Sequence, residues 1–175
     1  MKRLLQGVLA AVMTAVAGTS VAAQSVRYGL GGGLTMPVSN YGDLSSTGWH
    51  LFGKVDIAIP MSPLGVRVDG MYAQTSNNAP LLGNTKLAGG TADLVWHVPT
   101  AVPGFKPYVV AGAGMYNYNP GGGSVTKFTW GGGLGTSVGI GPIHGFGEAR
   151  YLSIQASGGS LKFIPVTVGL SFGSK

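Results

Sequence analysis

Between Lys127 and Ile154 the chain alternates residue by residue, breaks once, and alternates again. In the first half Phe128, Trp130, Leu134, Thr136, Val138 and Ile140 take the even positions, while Lys127, Thr129, Gly131, Gly133, Gly135, Ser137 and Gly139 take the odd ones. A period of two is that of a strand, whose successive side chains point to opposite faces. Gly141-Pro142 interrupts it, because proline has no N–H to give to a ladder and glycine reaches backbone angles other residues avoid. The return strand sets Ile143, Ala149 and Tyr151 against His144, Phe146, Glu148 and Arg150. An acid and a base therefore share a face with the glycines, and the opposite face is apolar. A closed barrel accommodates this arrangement: its narrow interior can be polar, with glycines leaving room for large neighbours, while its exterior must be apolar where it meets lipid.

The same period recurs along the chain. Around Val26–Met36, residues Val26, Tyr28, Leu30, Leu34 and Met36 oppose Arg27, Gly29, Gly31, Gly33 and Thr35. Around Trp49–Ile59, Trp49, Leu51, Val55, Ile57 and Ile59 oppose His50, Phe52, Lys54, Asp56 and Ala58. Further strands are expected over about 65–73, 87–97, 108–118 and 162–172, which with the hairpin makes eight. Strands of roughly ten residues are long enough to cross a bilayer at a tilt. Short connections are expected at Pro60–Leu64, Pro99–Lys106 and Gly141-Pro142. Long Ser/Asn/Gly-rich ones are expected at Val38–Gly48, Gln74–Lys86, Asn119–Val125 and Gln155–Leu161. The chain thus reads as an all-β, eight-stranded antiparallel up-and-down transmembrane barrel.

Residues 1–23 follow a different logic. Lys2-Arg3 precede an apolar run from Leu4 to Ala17, and Val21-Ala22-Ala23 are small residues before Gln24, the layout of a secretory signal peptide cut after Ala23. The expected domains are this helical signal over 1–23 and the barrel over 24–175. Without Lys2 and Arg3 the chain keeps nine basic residues against five acidic ones. That dispersed excess does not point to nucleic acid. Only 9% of the residues are charged and there is no cysteine, so disulfides, thiol catalysis and Cys-ligated zinc are excluded. A closed hydrogen-bonded ladder would hold such a chain instead.

Charge position supports the same reading. Asp56, Asp69, Asp93 and Glu148 fall at inward parity, as do Arg27, Lys54, Arg67, Lys127 and Arg150, while Asp43 lies in a loop. We expect Lys54, Asp56, Arg67, Asp69, Asp93, Glu148 and Arg150 to form a network of paired charges in the lumen. A register that places Asp56 opposite Arg67 and Lys54 opposite Asp69 is favoured over one that places Asp56 opposite Asp69, because unlike charges across a ladder attract. Trp49, Trp96 and Trp130 fall at outward parity near strand ends, with Tyr28, Tyr72, Tyr151 and Phe172. Together they form two expected membrane girdles, in which a ring sits in hydrocarbon and its polar atom among headgroups.

The order of motifs resembles the small outer-membrane β-barrel family of OmpA-like and OmpX-like proteins. The resemblance rests on the leader, Gly31-Gly32-Gly33, Lys106-Pro107-Tyr108 before Gly112-Ala113-Gly114, the run from Trp130 to Gly135, Glu148-Ala149-Arg150-Tyr151, and a last strand ending on Phe172. It implies an outer-membrane location, lipid as a partner, and recognition by the barrel assembly machinery through the C-terminal strand. In that family the last strand usually ends on its aromatic residue, whereas here Gly173-Ser174-Lys175 follow. An eight-stranded barrel is just wide enough to be filled by its own side chains. The expected function is accordingly that of a monomeric, non-enzymatic structural or surface-interaction barrel with no cofactor. A narrow channel and a binder of small hydrophobic ligands are the alternatives. A lipid-modifying enzyme is disfavoured, since a hydrolase needs nucleophile, base and acid within reach. Only Ser137 and His144 come close, in one possible register of the hairpin, and no acid is near them. His50 maps to the opposite rim from His97 and His144, which disfavours a histidine metal site.

Overall fold

The computed structural model describes residues 25–39, 46–76, 84–119, 123–139, 142–156 and 159–173. The expected leader, Ile140 and Asp43 lie outside these residues. Eight strands follow one another: β1 (Val26–Val38), β2 (Gly48–Ala58), β3 (Leu64–Ser76), β4 (Asn84–His97), β5 (Phe105–Asn119), β6 (Val125–Val138), β7 (Ile143–Ala156) and β8 (Gly159–Phe172). Each pairs antiparallel with the next and β8 pairs with β1, closing the barrel. Closure leaves no strand edge, so every strand's backbone groups have a ladder on both sides, the requirement for crossing hydrocarbon.

The stagger of the ladder can be followed around the wall. Tyr28 pairs with Val55, and the row continues through Val68, Ala92, Ala113, Trp130, Ser153 and Lys162. Lys162 returns to Val38 on β1, ten residues from the start. Such a shift forces the strands to lean, by about 40° for a barrel of this size. Alternation along β3 is complete from Leu64 to Ala73, with every odd residue buried and every even one exposed. Outside, Leu30, Leu51, Leu94, Leu134 and Val168 are each at least 60% exposed. That apolar surface is costly in water and favourable in lipid.

Several expectations are revised. The connection expected at Gln155–Leu161 is reduced to residues 157–158, because β7 runs on to Ala156 and β8 starts at Gly159. The reason is apolar burial: Leu152, Ile154 and Phe163 point inward and pack together with Leu161, so the pairing continues almost to the tip. Likewise β3 and β4 extend to Ser76 and Asn84, β5 and β6 to Asn119 and Val125, and β5 begins at Phe105. The expected alternation of long and short connections is therefore weaker than the composition suggests, residues 98–104 spanning as much chain as 77–83. The β6–β7 register also differs from the one that would put Ser137 beside His144. β6 ends at Val138 and β7 begins at Ile143, and Ser137 pairs with Phe146.

Candidate functional site in the lumen

The β2–β3 register pairs Asp56 with Arg67 and Lys54 with Asp69. The side chains make a different set of ion pairs from the one that this register alone suggests. Asp56 accepts from both cations, with Lys54 Nζ 3.2 Å from Oδ2 and Arg67 Nε 2.5 Å from Oδ1. Arg67 reaches across the lumen with Nη1 to Glu148 Oε2 at 2.5 Å. Asp69 is taken by Arg150 of β7, at 2.5 Å, and not by Lys54. Arg150 also holds Asp93 at 2.8 Å. The lumen is narrow enough for the long Arg150 side chain of β7 to reach carboxylates on β3 and β4. An Arg fork, with its five donors, can then satisfy two carboxylates at once, which a Lys point charge does less well.

Two residues not singled out in the sequence complete the network. The Tyr108 hydroxyl donates to Glu148 Oε2 at 2.8 Å, and the Arg67 guanidinium carbon lies 5.1 Å from the Tyr108 ring centre. The Thr91 hydroxyl lies 2.9 Å from Asp69 Oδ1 and 2.9 Å from Asp93 Oδ2. The parity of both residues is readable in the sequence, but not that one would bridge two acids from neighbouring strands. Lys54 extends over the Phe146 ring, 4.1 Å from its centre. Large side chains also occupy the space that the inward glycines leave. A Cβ on Gly29 would lie 2.8 Å from the Lys54 stem, one on Gly133 2.7 Å from Arg150 Cγ, and one on Gly169 2.7 Å from the Phe146 ring. The glycines therefore seat these side chains instead of keeping a channel open.

The lumen is layered. On the side of the residue 77–83 connection, Phe52, Met71, Ala73, Leu87, Tyr116, Leu152, Ile154 and Phe163 form an apolar cluster that includes the Phe146 ring. The ion-paired layer lies next, and Asp69, Asp93 and Glu148 have side chains with no exposure at all. Beyond it, on the rim that carries the ends of β1 and β8, is a cavity of about 630 Å³.

The juxtaposition of Ser137 and His144 that one hairpin register would allow does not occur, since Ser137 pairs with Phe146. His50 sits between Thr35 Oγ1 at 3.0 Å and Thr167 Oγ1 at 2.9 Å, two hydroxyls that fix its ring. Among the described residues no group of three or more His, Asp or Glu is placed to hold a metal.

On the outer surface the seven expected girdle aromatics fall in two rows. Trp49 lies against Tyr72 with ring centres 5.8 Å apart and planes tilted by 51°, and Trp130 lies against Tyr151 at 6.2 Å, on the side of the apolar cluster. Tyr28 and Phe172 are register partners on the other rim, where Trp96 pairs with Leu64. From Leu64 to Tyr72 along β3, eight strand steps correspond to roughly 20 Å of height at a tilt of about 40°.

A closed eight-stranded barrel with an apolar exterior, aromatic rows and all its buried charges inside is the architecture of a small transmembrane β-barrel. The chain belongs to the family of the outer membrane protein beta-barrel domain, whose model matches residues 8–172. Neisserial surface protein A has a similar fold, with 20% identity, a TM-score of 0.64, and 85% of this chain and 96% of that one covered. The N-terminal β-barrel domain of Pseudomonas aeruginosa OprF aligns with 15% identity and a TM-score of 0.54, over 85% of this chain and 96% of that one. A major outer membrane protein from Thermus thermophilus aligns with 11% identity and a TM-score of 0.55, over 87% of this chain and the whole of that one. No curated protein matches the sequence.

Proposed function

We propose that this protein is a non-enzymatic outer-membrane barrel, a filled scaffold whose connections on the far rim present a surface for interaction. The observation that carries the reading is the filling of the lumen. An apolar cluster and an ion-paired layer lie in series across it, each built from side chains of facing strands. Protein folded from detergent should give no sustained ionic current in planar bilayers. A steady conductance from the wild-type chain would overturn the scaffold and favour the narrow-channel reading.

Export belongs to the same reading. Residues 1–23 act as the signal peptide, so the mass of protein recovered from the outer membrane should correspond to a first residue Gln24. Outer-membrane lipid contacts the exterior, with the seven aromatic residues at the two interfaces. The assembly machinery engages β8, whose terminal Phe172 is 42% exposed on the outer face. A monomer fits this reading, since closure leaves no strand edge to pair with another copy.

A further inference from the structure

Of the lumen's layers, the cavity is the one in which the charge lining it is exposed. Of the four acids inside, Asp69, Asp93 and Glu148 have no exposed side-chain surface, and only Asp56 reaches the cavity, with 21% of its side chain exposed. The cavity wall carries Arg27, Lys54, Arg67 and Lys106. Lys54 and Arg67 are committed to Asp56 and Glu148. Arg27 lies half-buried at the mouth and makes no ion pair among the described residues. With the side chains of Lys54 and Arg67 only 3% and 2% exposed, the mouth presents Arg27 and Lys106 against the single part-exposed acid Asp56, between low-dielectric walls that concentrate the field. It is also a blind pocket, because the ion-paired and apolar layers close its floor. Its volume of about 630 Å³ is in the range of small-molecule sites. Ser137, Ser171 and the ring of His97 line it beside the cations.

We propose that this pocket binds a small phosphate-bearing solute from the compartment that the β1 and β8 ends face. A guanidinium offers paired N–H donors in the geometry of a phosphate edge, and a second cation rewards a doubly charged anion. Hydroxyls placed at different heights of the wall suit a tetrahedral oxyanion better than a planar carboxylate. The site rests on a closed lumen, but its test is separate from that of conduction, so either can fail alone.

The test is a calorimetric titration of the full mature chain, folded in a zwitterionic detergent at low ionic strength, with inorganic phosphate and, in a second arm, malonate. Saturable binding of phosphate is expected, tighter than that of malonate. Arg27→Gln and Lys106→Gln should each weaken it about tenfold or more. Lys162→Gln, on the outer face at the opposite rim, should leave it unchanged. Folding of each variant is checked by its heat-dependent gel migration, and Arg27→Lys, which keeps the charge, should recover part of the affinity. Absence of saturable binding, or binding that Arg27→Gln and Lys106→Gln do not alter, would overturn the site. Equal affinity for malonate would overturn the phosphate assignment.

Discussion

Arg67 shows how a single side chain is tied into this fold. It is 2% exposed and holds Asp56 from its own side of the barrel and Glu148 from across it. A buried pair has limited net value, since the cost of taking both charges out of water offsets most of their attraction. Removing one partner is another matter, because the remaining charges keep the desolvation cost without the compensation. Arg67→Ala should therefore destabilise the barrel by about 3–5 kcal/mol. The cost is read from urea unfolding in lipid vesicles, and a loss below about 1 kcal/mol would show that water or Lys54 takes over the role. The sequence placed Arg67, Asp56 and Glu148 on one face by parity alone. It did not show that Arg150 would take Asp69, because that choice depends on which strands face each other across the lumen, and parity says nothing about distance across a barrel. The Tyr108 contact was illegible for the same reason, whereas Thr91 meets its own register partner Asp69 on the adjacent strand.

At the scale of one strand, β6 joins the two solvents of the molecule. Leu134 is 66% exposed on the outside, whereas Ser137 lines the cavity inside. Leu134→Arg puts a charge into hydrocarbon and should cost roughly 2–4 kcal/mol if it lies near the midplane. Ser137→Arg should be milder, since its side chain enters a wet cavity. Equal unfolding free energies for the two variants in vesicles would mean that the facing is wrong. That facing is legible residue by residue, because a two-residue period admits only one alternative and the charges select between them. The ends of the elements are less legible. Ser157 and Gly158 carry turn chemistry, but so do Ser160 and Gly159, and only the inward packing of Leu152, Ile154 and Phe163 shows where the pairing stops. The register of the β6–β7 hairpin depends on a connection of four residues where the Gly141-Pro142 signal suggests two.

For the whole molecule, the decisive feature is that the lumen is closed twice. On the proposed reading the cluster around Phe163 and Leu87 would exclude ions, because a bare ion in an apolar constriction loses its hydration without replacement. The layer around Arg67 and Arg150 would exclude them differently, by filling the cross-section with side chains most of whose donors and acceptors are engaged, Glu148 Oε1 and Arg150 Nε being left 3.9 Å apart. Two barriers in series conduct only when both are lowered. Phe163→Ala with Phe52→Ala should empty much of the apolar layer, costing about 3–5 kcal/mol for each ring, yet leave the bilayer silent. Arg150→Ala alone should be silent as well, since the cluster remains. The triple variant should show ion current, provided its heat-dependent migration confirms a folded barrel. Current from Arg150→Ala alone would mean that the apolar cluster is no barrier, and a silent, folded triple variant would place the closure in side chains outside both layers.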